Sequence, residues 1–223
     1  MPQRLPLFPL GLVLFPGLML PLHVFEERYR VLVRELLGRP EAERSFGVVT
    51  IRQGREVGAD GVTALHEVGC TAHLRKADEH EDGRFDIVTT GTARFRLLGL
   101  AHDQPYLVGE VDLIEDELGP ADEAALLDRA VRAAYLDYLA ALVAAGADGM
   151  EMPQLPSNSL VLSYLVAATV VVDLEDRQAL LAQEDGAHRL RSELALLRRE
   201  SRLLRSLRAA PAPELSRTPV SPN

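Results

Sequence analysis

The stretch LPLFPLGLVLFPGLMLPLHVFEERY, residues 5–29, carries no formal charge before Glu26. Such an apolar run is compatible with a secretion signal, with a membrane span, or with the first strand and helix of a globular domain. A spanning helix needs about 20 apolar residues without breakers, and a signal needs an A-x-A-like cleavage site that is absent here. The run instead contains four prolines, Pro6, Pro9, Pro16 and Pro21. Because each proline inside a helix costs roughly 3 kcal/mol, we expect short extended segments over about 5–8 and 10–15 and a turn at Phe15-Pro16-Gly17.

A helical pattern begins after the last proline of this run. Its apolar residues recur at helical spacing and share one face: Phe25, Tyr29, Leu32 and Leu36. Glu26 precedes Arg30 by four positions, which is a favourable spacing for an ion pair on a helix. Gly38 followed by Pro40 is a typical helix end. The sequence therefore predicts a helix over about residues 23–37.

The composition is that of a globular protein with an acidic surface. The chain has 223 residues, of which 47% are hydrophobic and 26% charged, and its net charge is −9. This charge argues against a general attraction to nucleic acid or to anionic membranes. The single cysteine, Cys70, excludes an internal disulfide and a cysteine-based zinc framework. We expect a cytoplasmic protein without membrane association, and its oligomeric state stays open.

Residues 46–118 are rich in Val, Ile, Thr and Phe, which favour β-strands. Turn sequences separate these segments, among them Gly-Ala-Asp-Gly at 58–61 and Asp82-Gly83, which is typical of a hairpin. Short strands at regular spacing favour an antiparallel sheet or a small barrel over alternating strands and helices.

Helical patterns replace the strands from Gly119-Pro120 onward. The first of these helices ends near Gly146, and the residues of its apolar face are Leu127, Val131, Ala134, Tyr138 and Leu142. After a loop, Ser157 or Asn158 caps an apolar helix over about 158–171. We expect this apolar helix to lie at the centre of a bundle.

Two further helices complete this half. Asp173 caps a short helix, and Asp185 caps a long one that runs to about Arg208. The long helix carries an apolar seam made of Leu190, Leu194, Leu197, Ser201 and Leu204. The tail 211–223 contains four prolines and few apolar residues, so we expect it to be disordered.

No pattern in the chain predicts a catalytic residue, a cofactor site or a metal site. The acidic run 78–82 indicates a solvated turn, because neighbouring residues on a strand point to alternate sides. Cys70 and His73 are separated by an odd number of residues, so a metal shared by them and His66 would need a bulge. Phosphate-binding loops, dinucleotide motifs and the G-x-S-x-G element are absent from the sequence.

The last helix concentrates positive charge in an acidic chain. Residues 187–208 contain seven arginines, at 189, 191, 198, 199, 202, 205 and 208, but only two glutamates, Glu193 and Glu200. Arg198, Arg202 and Arg205 share a face without acidic partners at helical spacing. Either these arginines dock against the acidic remainder of the molecule, or they form a contact strip for a partner.

Several motifs together carry a family resemblance. LPLFPLGLVLFPGLMLPLHVFEERYRVLVREL resembles the opening of the amino-terminal, substrate-binding domain of Lon proteases. EVGCTAHL is similar to a G-x-x-A strand of that family, and IVTTGTARFRLLGL to its G-x-x-R strand, with Gly91 and Arg94 in the matching places. The resemblance covers about residues 5–208 and includes the R-Q-x-L-L element at 177–181.

The resemblance implies an α+β fold in which a PUA-like antiparallel β-barrel, over 1–118, is followed by a helical bundle, over 119–210, that ends in one long helix. The sequence departs from a Lon protease because it contains neither the nucleotide loop nor the Ser-Lys protease domain. What the resemblance implies is therefore a non-catalytic module that binds unfolded or partly folded polypeptides, with a protease or a chaperone as candidate partners.

Such a module needs exposed apolar surface rimmed by charge. The segment after the F-P-G turn offers both, and the predicted binding residues are Phe15, Met19, Leu20, Leu22, Phe25, Glu26, Glu27 and Arg28. Two alternatives remain at this point. PUA-like barrels also bind RNA, which here would use the arginines of 187–208, and a hydrolase would need a cluster formed only in three dimensions.

Overall fold

The computed structural model describes residues 2–54, 62–147 and 154–209. Within these ranges the strands are β1 (Gln3–Leu10), β2 (Met19–Val24), β3 (Ser45–Gly54), β4 (Val62–Leu65), β5 (Val68–Glu79), β6 (Phe85–Ala101) and β7 (Val108–Ile114). The helices are α1 (Glu27–Leu37), α2 (Ala121–Ala144), α3 (Ser159–Thr169), α4 (Leu174–Leu181) and α5 (Gly186–Ala209). The fold is therefore α+β, and the boundary near residue 118 between two subdomains stays a prediction.

Strand pairing runs in the order β1-β7-β6-β5-β3, and β3 also pairs with β1, so that five strands form a closed ring of neighbours. Two strands lie outside this ring: β4 pairs with β3, and β2 pairs with β6. The prediction of an antiparallel sheet is confirmed for every described pairing except β1–β3, which is parallel.

The extended segment predicted over 5–8 lies within β1, whereas most of the one predicted over 10–15 is not part of a strand. Residues 11–18 form a loop in which consecutive side chains, from Val13 to Phe15, are buried. The predicted turn is confirmed at Pro16-Gly17, where Gly17 has a φ of +83°. This turn leaves the strand β2 to begin at Met19.

The helix predicted over 23–37 begins later, at Glu27, because the residues up to Val24 pair with β6. Tyr29, Leu32 and Leu36 form its buried face as predicted, but Phe25 is 50% exposed and does not belong to that face. The turn between β5 and β6 is confirmed, with Gly83 at a φ of +78° and its N–H donating to the His80 carbonyl at 2.8 Å.

The helix caps agree with their sequence signals. The Asn158 side chain accepts hydrogen bonds from the amides of Leu160 and Val161, and Asp173 accepts from that of Asp176. Asp185 accepts from the amide of His188 at the start of α5. The predicted seam of α5 packs into the helical core. The predicted Gly-Ala-Asp-Gly turn, the side chain of Arg208 and the tail 211–223 lie outside the described residues.

The two most diagnostic motifs of the sequence contact each other. The Gly17 amide donates to the Gly91 carbonyl at 2.9 Å, and the Gly91 amide donates to the Leu18 carbonyl at 2.8 Å. A Cβ atom on Gly91 would lie 2.3 Å from the Phe15 carbonyl oxygen, which is backbone and has no rotamer to change. The F-P-G turn therefore needs a glycine at residue 91 in order to dock on β6.

Arg94, three residues further along β6, connects the sheet to the helices. Its side chain is 1% exposed, and its Nε donates to Asp116 at 2.7 Å. Its Nη1 donates to the carbonyls of Leu181 and Gln183, at the end of α4, at 2.8 and 2.5 Å. The G-x-x-R motif thus combines a close approach of two backbones with a buried charged contact.

Two buried ionisable side chains, Arg189 and Glu193, lie inside the helical core. Arg189 is fully buried, donates to the Leu180 carbonyl and to Ser163, and lies 4.1 Å from the centre of the Tyr164 ring. Glu193, one helical turn further on, is also buried, and neither of its carboxylate oxygens has a hydrogen-bond partner among the described residues. Burial raises the pKa of Glu193 well above its usual range, and the charge of Arg189 offsets part of that shift.

Replacing Glu193 with glutamine is expected to stabilise the protein at neutral pH. The folded state holds the Glu193 proton to a higher pH than the unfolded state does. Stability from this group is therefore complete below the unfolded pKa and is lost as pH rises through the folded pKa. The advantage of the variant should grow by up to about 1.4 kcal/mol per pH unit in that window.

Urea denaturation across the pH range measures this difference, with Glu67→Gln as the control because the Glu67 side chain is 83% exposed. A glutamine variant that is less stable than the original protein at neutral pH would mean that Glu193 is ionised and paired with Arg189.

Candidate functional site

A small apolar pocket lies between β1, β2 and the start of α1. It has a volume of about 160 Å³ and is lined by Phe8, Pro9, Leu10, Leu22, His23, Val24, Phe25, Glu26 and Tyr29. The rings of Phe8 and Tyr29 stack with their centres 3.9 Å apart, which gives the pocket an ordered aromatic wall.

Two large apolar side chains are exposed near the two ends of β2, and of these Phe25 lines the pocket while Met19 lies at the opposite end of the strand. Met19 is 75% exposed at the start of β2, and Phe25 is 50% exposed between β2 and α1. Leu20 and Leu22 are half-buried because they pack on the core under α1. Among the described strands β2 pairs with β6 alone, so this apolar surface borders a free strand edge.

Charged residues at the start of α1 form a rim on one side of the pocket. Arg28 contacts Glu26 at 3.1 Å and lies 4.6 Å from the centre of the Tyr29 ring. Glu27 is exposed and pairs with Arg30 at 2.9 Å, a spacing of three residues in place of the Glu26–Arg30 pair that the sequence suggested. The predicted rim residues therefore lie beside the apolar ones.

Phe15 is the exception in the predicted set. It is fully buried, and its ring centre lies 6.3 Å from that of Tyr164 in α3. The expectation that Phe15 adds to an exposed surface is wrong, because the loop 11–18 turns it toward the helical core. The exposed part of the candidate site begins at Met19.

The predicted arginine strip lines a groove of about 450 Å³ between α2 and α5. The groove is lined by Ala134, Asp137, Leu197, Arg198, Ser201, Arg202 and Arg205. Arg205 lies 3.8 Å from Asp137, an exposed pair of little energetic weight. The exposed basic surface is smaller than the sequence suggested, because Arg189 is buried, Arg199 pairs with Asp176 and Arg191 pairs with Glu123.

The other candidate chemical groups do not assemble into a reactive site. Cys70 is buried, and desolvation raises the pKa of its thiol to about 12, so it stays protonated and inert. His73 contacts Ser45 at 3.2 Å across β3 and β5, but forms no ion pair with an acidic side chain in the part of the chain that the structure describes. His66 faces Glu175 at 3.7 Å. The hydrolase alternative thus gains no support from these residues.

Sequence reasoning missed one cluster, formed by His23, His80 and Asp86. Both histidines contact the same carboxylate, at 2.6 and 2.7 Å. Since 63 residues separate His23 from Asp86, no local pattern joins them, and only the pairing of β2 with β6 brings them together.

Within the described ranges no helix has both the length and the apolar character needed to cross a membrane.

The sequence of this chain is similar to those of known proteins. A family profile described as the ATP-dependent protease La (LON) substrate-binding domain matches residues 4–199. Lon protease 2 of Myxococcus xanthus is 31% identical over 209 residues, which make up 92% of this chain and 24% of that protein. The Lon protease of Anaeromyxobacter dehalogenans (strain 2CP-C) is 30% identical with the same coverage of 92% and 24%. The chain thus spans about a quarter of the length of these curated relatives.

Solved structures show the same similarity. The crystal structure of a Lon N-terminal domain protein from Xanthomonas campestris is 30% identical, with a TM-score of 0.57, and the match covers 86% of this chain and 98% of that one. The N-terminal domain of the Mycobacterium avium complex Lon protease has a TM-score of 0.59 with 88% and 98% coverage. At 13% identity this second likeness concerns the fold alone.

Proposed function

The chain belongs to the family of the ATP-dependent protease La (LON) substrate-binding domain, and we propose that it is a non-catalytic module that binds unfolded or partly folded polypeptides. The observation that carries the proposal is the exposed Phe25 at an apolar pocket, together with the exposed Met19 at the other end of β2. An unfolded chain offers apolar side chains at irregular intervals, and two separate apolar contacts can accept such a pattern without a fixed sequence.

The chemistry of the surface supports this role. Met19 is flexible and polarizable, so it adapts to different partner side chains, while Phe25 offers a large apolar contact. Beside Phe25 the exposed Glu27 pairs with Arg30, while Glu26 and Arg28 are mostly buried and pair with each other. The binding needs no chemical step, so it requires no nucleotide and no cofactor.

The wider proposal is an adaptor in cytoplasmic protein quality control that works with a protease or a chaperone. Its PUA-like barrel is supported by the closed ring of five strands. The groove with Arg198, Arg202 and Arg205 is proposed as the contact strip for that partner protein, because it lies on α2 and α5 and shares no lining residue with the apolar pocket. Like charges held close on one helix face gain from an acidic partner.

Replacing Met19 and Phe25 together with serine is expected to weaken polypeptide binding at least about tenfold, since a tenfold change needs only 1.4 kcal/mol and two apolar contacts are lost. The measurement is fluorescence anisotropy of a labelled, reduced and carboxymethylated protein that cannot refold, without ATP. The original protein should bind it saturably.

The matched control replaces Leu98 and Leu113 with serine, because they are 50% and 54% exposed on β6 and β7, away from the pocket. Equal losses in both double variants, or no binding by the original protein, would contradict the proposed function. Labelled single-stranded RNA serves as the second ligand. Tight RNA binding that falls steeply with salt and disappears on replacing Arg202 with alanine would favour the RNA-binding alternative instead.

A further inference from the structure

The cluster of His23, His80 and Asp86 has the donor set and the spacing of a metal site. His23 lies directly opposite Asp86 in the β2–β6 pairing, and His80 follows the end of β5. The Nδ1 atom of His23 is 2.6 Å from one Asp86 oxygen, and the Nε2 atom of His80 is 2.7 Å from the other. All three ligand atoms lie within 4.8 Å of one another.

Two imidazole nitrogens and one carboxylate oxygen suit a borderline transition-metal dication. Zn²⁺ takes such ligands at about 2.0–2.2 Å in tetrahedral geometry, which sets neighbouring ligand atoms roughly 3.3 Å apart. The present contacts of Asp86 with the two imidazoles are shorter than that, so the side chains have to move apart for an ion to enter. The side chains of His23, His80 and Asp86 are 46%, 45% and 53% exposed, which leaves room for that shift and for a water as fourth ligand.

The surroundings of the cluster carry charges of both signs. The hairpin that carries the cluster also contains Asp78, Glu79, Glu81 and Asp82. Asp78 pairs with Lys76 at 2.5 Å and Asp82 pairs with Arg84 at 2.6 Å, whereas Asp86 has the two imidazoles as its partners. Arg84 approaches the far nitrogen of His23 only at 3.5 Å, the limit of a hydrogen bond.

We propose that His23, His80 and Asp86 form a Zn²⁺-binding site that ties β2 to the tip of the β5–β6 hairpin. β2 has β6 as its one neighbour among the described strands, so a metal link at its end holds this outer strand in place. His23 also lines the apolar pocket, with its ring centre 6.3 Å from that of Phe25. The ion would therefore stiffen the border of the candidate binding surface, without being required for the proposed function.

The other histidines and the cysteine allow a clear assignment. All six histidines lie in described segments, and His23, His80 and Asp86 are the one group with metal-ligand spacing that those segments contain. Cys70 is buried, so its sulfur does not compete for the ion. His102 is an exposed histidine outside the cluster, and His188 forms an exposed pair with Asp185. These two provide the controls.

Isothermal titration of Zn²⁺ into untagged, chelator-treated protein at neutral pH tests the proposal. One ion per chain should bind saturably and raise the melting temperature. His80→Ala and Asp86→Asn should each weaken binding at least about tenfold, the range typical of lost ligands or their supports, whereas His102→Ala should leave it unchanged. Circular dichroism checks that each variant is folded, and His80 lies in an exposed turn where alanine is tolerated.

Binding without saturation, or unchanged affinity in His80→Ala, would overturn the proposal, as would loss of binding in His188→Ala. Co²⁺ gives an independent readout, because its visible absorption reports imidazole and carboxylate ligands and should disappear with His80→Ala. Polypeptide binding is measured on the same metal-free protein, so a failure of the metal site leaves the result for the proposed function separate.

Discussion

Replacing Arg94 with methionine is expected to lower the free energy of unfolding by about 3–5 kcal/mol, the usual cost of removing one partner from a buried charged contact. Methionine keeps much of the length of the side chain but none of its donors. The Asp116 carboxylate and the carbonyls of Leu181 and Gln183 would all lose the Arg94 guanidinium. These groups would remain partly or fully out of water without compensation.

The effect is large because Arg94 connects two parts of the molecule. β6 supplies the arginine, the segment after β7 supplies Asp116, and the end of α4 supplies the carbonyls. For a chain of this size the loss corresponds to a fall in melting temperature of roughly 6–20 °C. Thermal and urea denaturation followed by circular dichroism measure both quantities.

Arg96 provides the matched control. It lies two residues away on the same strand, but its side chain is 55% exposed and its nearest acidic partner, Glu67, is 3.9 Å away. Arg96→Met should change stability by no more than about 0.5 kcal/mol. Equal stability of the two variants would show that the buried contacts of Arg94 add little. The double variant with Asp116→Asn should recover part of the loss, since it removes the unpaired charge.

Replacing Phe15 with alanine is expected to cost about 3–5 kcal/mol, as for other fully buried phenylalanines. The ring fills space between the F-P-G turn and α3, where it contacts Tyr164. Its backbone is fixed by the docking of that turn on Gly91, so the site has little freedom to collapse around a cavity. Urea denaturation measures the change, and Phe15→Leu gives a milder variant, expected within about 1.5 kcal/mol, if the alanine variant fails to fold.

Phe25→Ala is the comparison for Phe15, because the two rings lie ten residues apart and were predicted from the sequence to share one surface. Phe25 is 50% exposed, so its removal should change stability by no more than about 0.5 kcal/mol. We expect Phe25→Ala to weaken polypeptide binding at unchanged stability, and Phe15→Ala to weaken stability first. If Phe25→Ala instead lowered stability and Phe15→Ala weakened binding at unchanged stability, the assignment of Phe25 to the binding surface and of Phe15 to the core would be wrong.

Much of the secondary structure could be predicted because its signals are local. The amide-capping side chains of Asn158 and Asp173 lie within three residues of the groups they bind. The seam of α5 and the Gly83 turn also depend on residues close in sequence. The failures concern strand pairing, which is long-range: residues 11–15 have no strand partner within the described ranges, and His23 and Val24 pair with β6 where the pattern suggested helix.

The candidate site could be predicted in part. Met19 and Phe25 are exposed and the charged residues Glu26, Glu27 and Arg28 directly follow Phe25, while their role in binding stays a prediction. The basic strip was overestimated, because charge counting along a helix does not show that Arg189 points into the core.

The sequence by itself indicated most of the helices and the F-P-G turn, because prolines, glycines, caps and apolar periodicity act over a few residues, and its motifs carry the resemblance to the Lon substrate-binding domain. Only the tertiary structure decided which apolar residues of 15–25 are core and which are surface. Burial depends on what the rest of the chain brings to each side chain: α3 covers Phe15, nothing described covers most of Met19, and β6 brings Asp86 to His23. Those contacts join residues tens of positions apart, and no local pattern encodes them.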